Sequence, residues 1–228
     1  MTAAAHPLDN PIWESLGGGH ARFAQSAGSA RRFTPEVSVL AGFSGEPEEG
    51  LAALAGLTAP GESAGVFFTR FPDAHPGWTF VRGGELLQMV HGGGAIAAAA
   101  RDFVELGAGD VPEMLALTAR TKPGPFSART HELGLYLGVR DGGRLAALSG
   151  ERLKLPGWTE ISAVCTHPDF LGRGYAGALM AEVGRRILAR GERPFLHVLP
   201  GNARAIALYE RLGFSRRRLF RYAILRRG

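Results

Sequence analysis

The residues that could do chemistry crowd into the second half of the chain. Gly172, Gly174 and Gly177 stand where the run Glu160-Ile-Ser-Ala-Val-Cys-Thr166, read as a strand, gives way to a helical stretch. Backbone N–H groups at such a turn are bare of Cβ atoms and sit at the positive end of a helix dipole, so they can cradle a diphosphate. Taken literally, Gly172-x-Gly174-x-x-Gly177 is a dinucleotide fingerprint. That reading needs an acidic residue about 20 positions on, at the end of the next strand. Residues 194–200 hold none, and too little chain is left for a doubly wound domain. Proton transfer could fall to Glu160, His167, His197 or Tyr209, while Cys165 lacks a readable His/Asp constellation and reads as a small core hydrophobe. Asn202 stands before the last helical stretch as an N-cap, and Arg173 and Arg204 sit where a phosphate could meet them.

These residues need elements to hold them. From residue 102 the sequence predicts a strand at 103–106 and a helix from an Asp110/Glu113 capping box to Thr121. A hairpin over 133–149 turns at Asp141-Gly142, followed by a strand at 160–166, a helix at 175–189, a strand at 194–199 and a helix at 203–212. A closing hairpin or meander is expected over 214–225, and the coarse order of this part is β-α-α-β-β-β-α-β-α-β-β. Before it, residues 10–32 read as a helix interrupted by Gly17-Gly-Gly19, and short apolar runs at 37–43, 65–69, 78–82 and 86–91 read as strands. The expected division is therefore an α+β half over 1–101 and a catalytic domain over 102–228.

Composition sets outer limits. A chain of 228 residues with 45% hydrophobic and 21% charged residues is long enough for one large or two small packed domains, and is neither disordered nor fibrous. No apolar run approaches the roughly 18 residues that span a bilayer. The start of the chain shows neither a basic nor an apolar signal segment, so the expected location is cytoplasmic. The single cysteine excludes an internal disulfide and a multi-cysteine zinc site, and no metal is expected. The net charge of +5 would suit an anionic partner, but only Lys122 and Lys154 among the 26 basic residues are lysines, so an arginine bias accounts for it as well. The arginines after Glu210 alternate with Phe214, Leu219, Phe220, Tyr222 and Ile224 as half-buried strands would, which argues against nucleic acid.

Read together, the glycine loop and Asn202-Ala-Arg-Ala-Ile-Ala-Leu-Tyr-Glu-Arg-Leu-Gly-Phe214 resemble the GNAT superfamily of acyl-CoA-dependent N-acetyltransferases, over residues 102–228. The resemblance implies an α/β (α+β) fold with a mixed, mostly antiparallel central sheet flanked by helices. It implies acetyl-CoA as cosubstrate, with its diphosphate on the loop at Gly172, Arg173, Gly174, Tyr175, Ala176 and Gly177, and Gly174 and Ala176 in the family's two small positions. Leu171 departs from the family's Gln or Arg. The pantetheine arm would pair with the backbone of Val164, Cys165 and Thr166, Asn202 would contact the arm, and Tyr209 would act as general acid toward the leaving thiolate. Glu160 would serve as general base, as in the histone-acetylating branch; an exposed strand-end carboxylate is the plainer reading. The first hundred residues would be a degenerate copy of the same fold or an unrelated cap. The expected acceptor is a small-molecule or peptide amine, attacked directly, with no membrane or nucleic-acid partner and a homodimer left open. The competing reading is an acyl-CoA-sensing or nucleic-acid- or protein-binding module with a vestigial cofactor site.

Overall fold

The structure, a computed structural model, describes residues 6–72 and 75–228. The expectation about a signal segment falls largely on residues outside that set. Helix α1 (Pro11–Gly17) starts with proline at its first position and stops at Gly17-Gly-Gly19. The sequence predicts that the helix resumes after these glycines; instead a 3-10 turn at Ala21–Phe23 leads into strands. The chain forms a hairpin of β1 (Ala24–Ala27) and β2 (Ala30–Phe33), turning at Gly28 with φ +53, and β3 (Ala41–Phe43) completes a three-stranded antiparallel sheet. The three consecutive glycines cost a helix interior roughly 1 kcal/mol each, and the hairpin that forms in its place buries Ala30 and Phe33. Helix α2 (Pro47–Ala55), β4 (Ser63–Phe68) and β5 (Trp78–His91) follow.

The second half runs β6 (Val104–Glu105), α3 (Val111–Thr121), β7 (Tyr136–Asp141), β8 (Arg144–Leu155), β9 (Trp158–Thr166), α4 (Tyr175–Ala189), β10 (Arg193–Val198), α5 (Ala203–Arg211) and β11 (Phe214–Arg227). Three expectations are corrected. The capping box at α3 does not form: Asp110 accepts from the Gly107 N–H at 2.9 Å, and Arg140 ties Asp110 and Glu113 together at 2.7 and 2.6 Å. One α-helix, not two, separates β6 from β7, with short 3-10 turns at Ala108–Asp110 before it and at Thr130–Leu133 after it. The expected closing hairpin is one continuous strand, since no Gly, Pro, Asn or Asp interrupts residues 214–227 to let the chain turn.

Eight strands form one sheet in the order β4-β11-β5-β10-β9-β8-β7-β6, antiparallel except for the parallel pair β9/β10. Residues 63–91, expected in the first half, thus complete the sheet of the second. Two runs share an order of elements: α1-β1-β2-β3-α2-β4 and α3-β7-β8-β9-α4-β10. Leu40, just before β3, even forms a parallel bridge to Gly65 of β4, as β9 and β10 pair in parallel. The strands that follow cross over: β5 leaves β4 and pairs with β10, while β11 comes after β10 and pairs with β4. One face of the sheet is covered by α4 and α5, through Leu179, Val183, Ile187 and Ile206 on Ile161, Leu196 and Val198. The other face carries α3 on Tyr136, Leu148 and Cys165, and α1 with the small sheet around Phe33, Leu40 and Phe195. Among the described residues no helix is long and apolar enough to cross a membrane.

Candidate active site

The site is made by two strands that part. β9 and β10 pair only from Trp158/Arg193 to Glu160/Phe195, then diverge. On the other edge of β9, Leu148 faces Cys165 and Gly150 faces Ser162, so Ala163 and Val164 together oppose Ser149: a β-bulge. Its Ala163 sits at φ +56, a left-handed conformation that costs a non-glycine residue roughly 1–2 kcal/mol. Such a bulge bends the strand and takes a residue out of the ladder. The backbone of Val164, Cys165 and Thr166 consequently has no strand partner on the β10 side, an edge to which an extended, amide-bearing chain can hydrogen-bond. The Cys165 side chain points the other way, into the core under α3, where burial pushes its thiol up to about 11. The sequence carries no signal for the bulge.

The start of α4 lies just beyond. Gly172 and Gly174 have φ of +81 and +76, and a Cβ built on either would meet nothing within 4 Å, so glycine is required by conformation and open space surrounds it. Gly174 is the N-cap and brings no side-chain cap; the first intrahelical bond is Ala178 N–H to Gly174 C=O at 3.1 Å. The amides of Tyr175, Ala176 and Gly177 therefore have no carbonyl within the helix. Gly177 has a packing reason for lacking a side chain, because a Cβ there would come within 3.3 Å of Leu208 on α5. Asp141 holds the loop from below, accepting from Arg173 at 2.5 Å and from the Tyr175 hydroxyl at 2.7 Å. Tyr175 can thus offer a ligand only its backbone. Arg101 stacks on the Tyr175 ring at 4.5 Å and donates to the Arg173 carbonyl at 3.3 Å, adding a cation that the sequence reading did not single out. Leu171 is 58% exposed.

A cavity of about 380 Å³ opens at the splay. Its walls include Ile161 to Val164 of β9, Leu196 to Val198 of β10, Asn202 and Tyr209, but also Phe67 of β4, Arg82 of β5 and the turn after α3. The Asn202 side chain accepts from the Ala205 N–H at 3.2 Å, capping α5. Tyr209 has its ring buried against Phe214, burial pushes its phenol above the ordinary value, and it borders the cavity.

Glu160 is the main correction among the site residues. It is neither exposed nor on the cavity wall. Both its oxygens are held by Arg152, at 2.8 and 2.6 Å, and His197 Nδ1 lies 2.7 Å from Oε1. Burial by itself would raise its pKa; the Arg152 charge and the hydrogen bonds outweigh burial and hold it near 2. A carboxylate so low and so enclosed takes no proton from an amine at neutral pH. It belongs instead to a polar row that crosses five strands: Arg152, Glu160, His197, Gln88 at 3.2 Å from His197, and Arg217 at 2.8 Å from Gln88, which ends on Asp9 at 2.6 Å. His167 is set apart from the cavity, accepting from the Asp169 N–H at 3.2 Å in the turn before the loop. Arg204 is exposed and does not border the cavity.

The family described as FR47-like protein matches residues 136–223, which run from β7 into β11. A solved structure of a GNAT-family protein from Novosphingobium aromaticivorans DSM 12444 is 39% identical, covers 98% of this chain and 100% of its own, and superposes with a TM-score of 0.91. A GCN5-related N-acetyltransferase from Kribbella flavida, 17% identical over 95% of this chain and 96% of its own, shares the fold at a TM-score of 0.60. No curated protein matches the chain. A splayed parallel strand pair, a glycine-capped helix beside it, and 39% identity along nearly the whole length of the Novosphingobium protein lead to one assignment: this chain belongs to the GNAT family.

Proposed function

We propose that this protein is an N-acetyltransferase that moves the acetyl group of acetyl-CoA to a primary amine by direct attack, with no covalent enzyme intermediate. The observation that carries the reading is the bare N-terminus of α4 next to the unpaired edge of β9. Phosphates suit the first, an amide-bearing arm suits the second, and coenzyme A has both. When bound, acetyl-CoA supplies the thioester. Gly172 to Gly177, Arg173 among them, present backbone N–H groups to the diphosphate, with Arg101 adding charge. Val164 to Thr166 pair with the arm through main chain, and Asn202 keeps its side-chain amide toward it while its oxygen caps α5. Tyr209 protonates the departing thiolate as the C–S bond breaks, and its phenolate is reset by the proton that the newly acylated nitrogen sheds; the raised pKa of Tyr209 keeps it a proton donor at neutral pH. Glu160 is a positioning residue, fixing His197 and the strand pair.

The first half is, in this reading, a degenerate copy of the same fold, on the strength of the shared order α-β-β-β-α-β. Calorimetric titration with acetyl-CoA, followed by thiol-release assays with an amine panel, tests the function. Saturable binding at one site with amine-dependent thiol release is expected; absence of binding sinks the proposal. Binding with no release for any amine would turn the assignment toward an acyl-CoA sensor.

A further inference from the structure

The cavity at the splay has an electrostatic composition unsuited to a plain amine. Among the described residues that line it none is an aspartate or glutamate, whereas Arg82, Lys122 and Arg152 all border it. Arg152 is neutralised by Glu160 behind it. Arg82 and Lys122 have no ion pair or side-chain hydrogen bond among the described residues. Neither belongs to the glycine loop: Arg82 lies on β5, and Lys122 follows α3, which packs on the sheet face opposite α4. Lys122 is moreover held at φ +51 as the C-cap of α3, its N–H donating to the Thr118 carbonyl at 2.8 Å, so the base of its side chain is fixed at the cavity rim.

An amine is a cation in water at neutral pH, and two unpaired positive charges, with no carboxylate among the described lining residues, oppose its entry. A second, anionic group on the same molecule reverses that balance. A carboxylate is the group an arginine fork recognises through two parallel hydrogen bonds. The same wall also carries the apolar side chains of Val66, Phe67 and Leu86. We propose that the acceptor is an amine that also bears a carboxylate, an amino acid with an apolar body, held by Arg82 and Lys122 with its amine toward the splay. This rests on the acetyltransferase reading above.

The test compares matched amines with the purified full chain and acetyl-CoA: phenylalanine, phenylalanine amide and phenethylamine, then leucine, leucinamide and 3-methylbutylamine. The carboxylate member of each set is expected to exceed its partners at least tenfold in kcat/KM, mostly through KM. In the Arg82→Gln/Lys122→Gln variant that preference should fall to within about twofold, while the Kd for acetyl-CoA by calorimetry stays unchanged. Both side chains are exposed, so the variant keeps the fold. Equal or better use of the amides or decarboxylated amines overturns the proposal, as does a preference that survives in the double variant. So does acetyl-CoA binding with neither amino acid acetylated. Failure of the wild type to bind acetyl-CoA at all is a separate readout that removes the acetyltransferase reading, and this one with it.

Discussion

Helices α2 and α4 each follow three antiparallel strands and precede a strand parallel to the third, yet their N-termini carry opposite chemistry. At α4 the N-cap is Gly174 and the first turn holds no acidic residue. At α2 the N-cap is Glu46, and Glu48 and Glu49 occupy the first turn. Both helices offer unpaired N–H groups and the positive end of a dipole. At α2 that potential is already matched by carboxylates, which would repel a phosphate; at α4 it is left open. The strands differ in the same sense: β9 carries a bulge at Ala163 and a long free edge, whereas β3 is three residues long and Leu40, just before it, meets β4 at a single bridge. A shared order of elements therefore does not repeat a site. The site depends on which side chains and which backbone irregularities are placed at the turn.

The largest effect should come from a matched pair of glycine substitutions. Gly174 and Gly45 both sit just before these helices at positive φ, +76 and +84, and both have room around them. Valine at either position carries a similar backbone penalty, roughly 1–2 kcal/mol. Gly174→Val should also abolish acetyl-CoA binding by displacing the amides of the cradle, while Gly45→Val should leave the affinity unchanged. Calorimetry on both variants, with a thermal melt to compare stability loss, decides the matter. Equal affinity in the two would put the diphosphate elsewhere.

What the sequence disclosed follows from the range of the interactions involved. The bounds of α4 at 175–189 and the N-cap role of Asn202 were readable because local signals set them, namely a glycine turn, helical spacing and a capping side chain. The crossing of β5 and β11 was not, since a strand's pattern says that it pairs but not with which partner. β5 read as two strands because Gly83-Gly84 looks like a turn; the glycine is there because a Cβ at Gly83 would lie 2.3 Å from the Tyr222 carbonyl oxygen. Glu160 misled for the same reason. Its partners Arg152 and His197 lie on β8 and β10 and come beside it only in the sheet, and they turn an expected base into a buried ion pair.

Tyr209 sharpens the comparison from the side of catalysis, because α5, on which it lies, has no counterpart among the described residues between β4 and β5. Tyr209→Phe keeps the ring against Phe214 and removes only the hydroxyl. If the phenol delivers the proton to the thiolate, kcat falls by about 10²-fold or more, with acetyl-CoA affinity and melting temperature little changed. Wild-type turnover in the variant from pH 7 to 9 would assign Tyr209 to the core.

The halves should also respond to acid in separate windows. His20 in the first half is buried between Ser15 Oγ at 2.8 Å and the Leu133 carbonyl at 2.9 Å, and burial pushes its pKa down to about 4. Its ordinary value is about 6.5, so the unfolded chain takes up the proton first and stability falls as pH drops from about 6.5 to 4, by on the order of 3 kcal/mol. Glu160 in the second half, held near 2, contributes stability that is complete above about 4.5 and is lost only as pH falls toward 2. Urea unfolding of wild type and His20→Asn between pH 7.5 and 4.5 separates the two. The variant should lose most of the dependence in that range, and an unchanged slope would place the acid sensitivity elsewhere.

The smallest expected effect lies at Leu171, where the glycine loop of α4 departs from its family. Leu171 is exposed and its backbone is extended at φ −61 and ψ 154, so a longer side chain can be introduced without strain. An arginine there would lie three residues before Gly174 and could reach the phosphate from the loop side, opposite Arg173, whose guanidinium is engaged by Asp141. A charge-assisted contact is worth roughly 1.5–3 kcal/mol at most, and exposure to solvent puts this one toward the lower end. Leu171→Arg should therefore tighten acetyl-CoA about tenfold at low salt, with the gain shrinking as ionic strength rises. Leu171→Gln should give a smaller gain with little salt dependence, because it adds a hydrogen bond without a charge. If Leu171→Arg weakens binding instead, the amides of the loop are not aimed at a phosphate, and the difference between α2 and α4 is one of packing rather than of ligand.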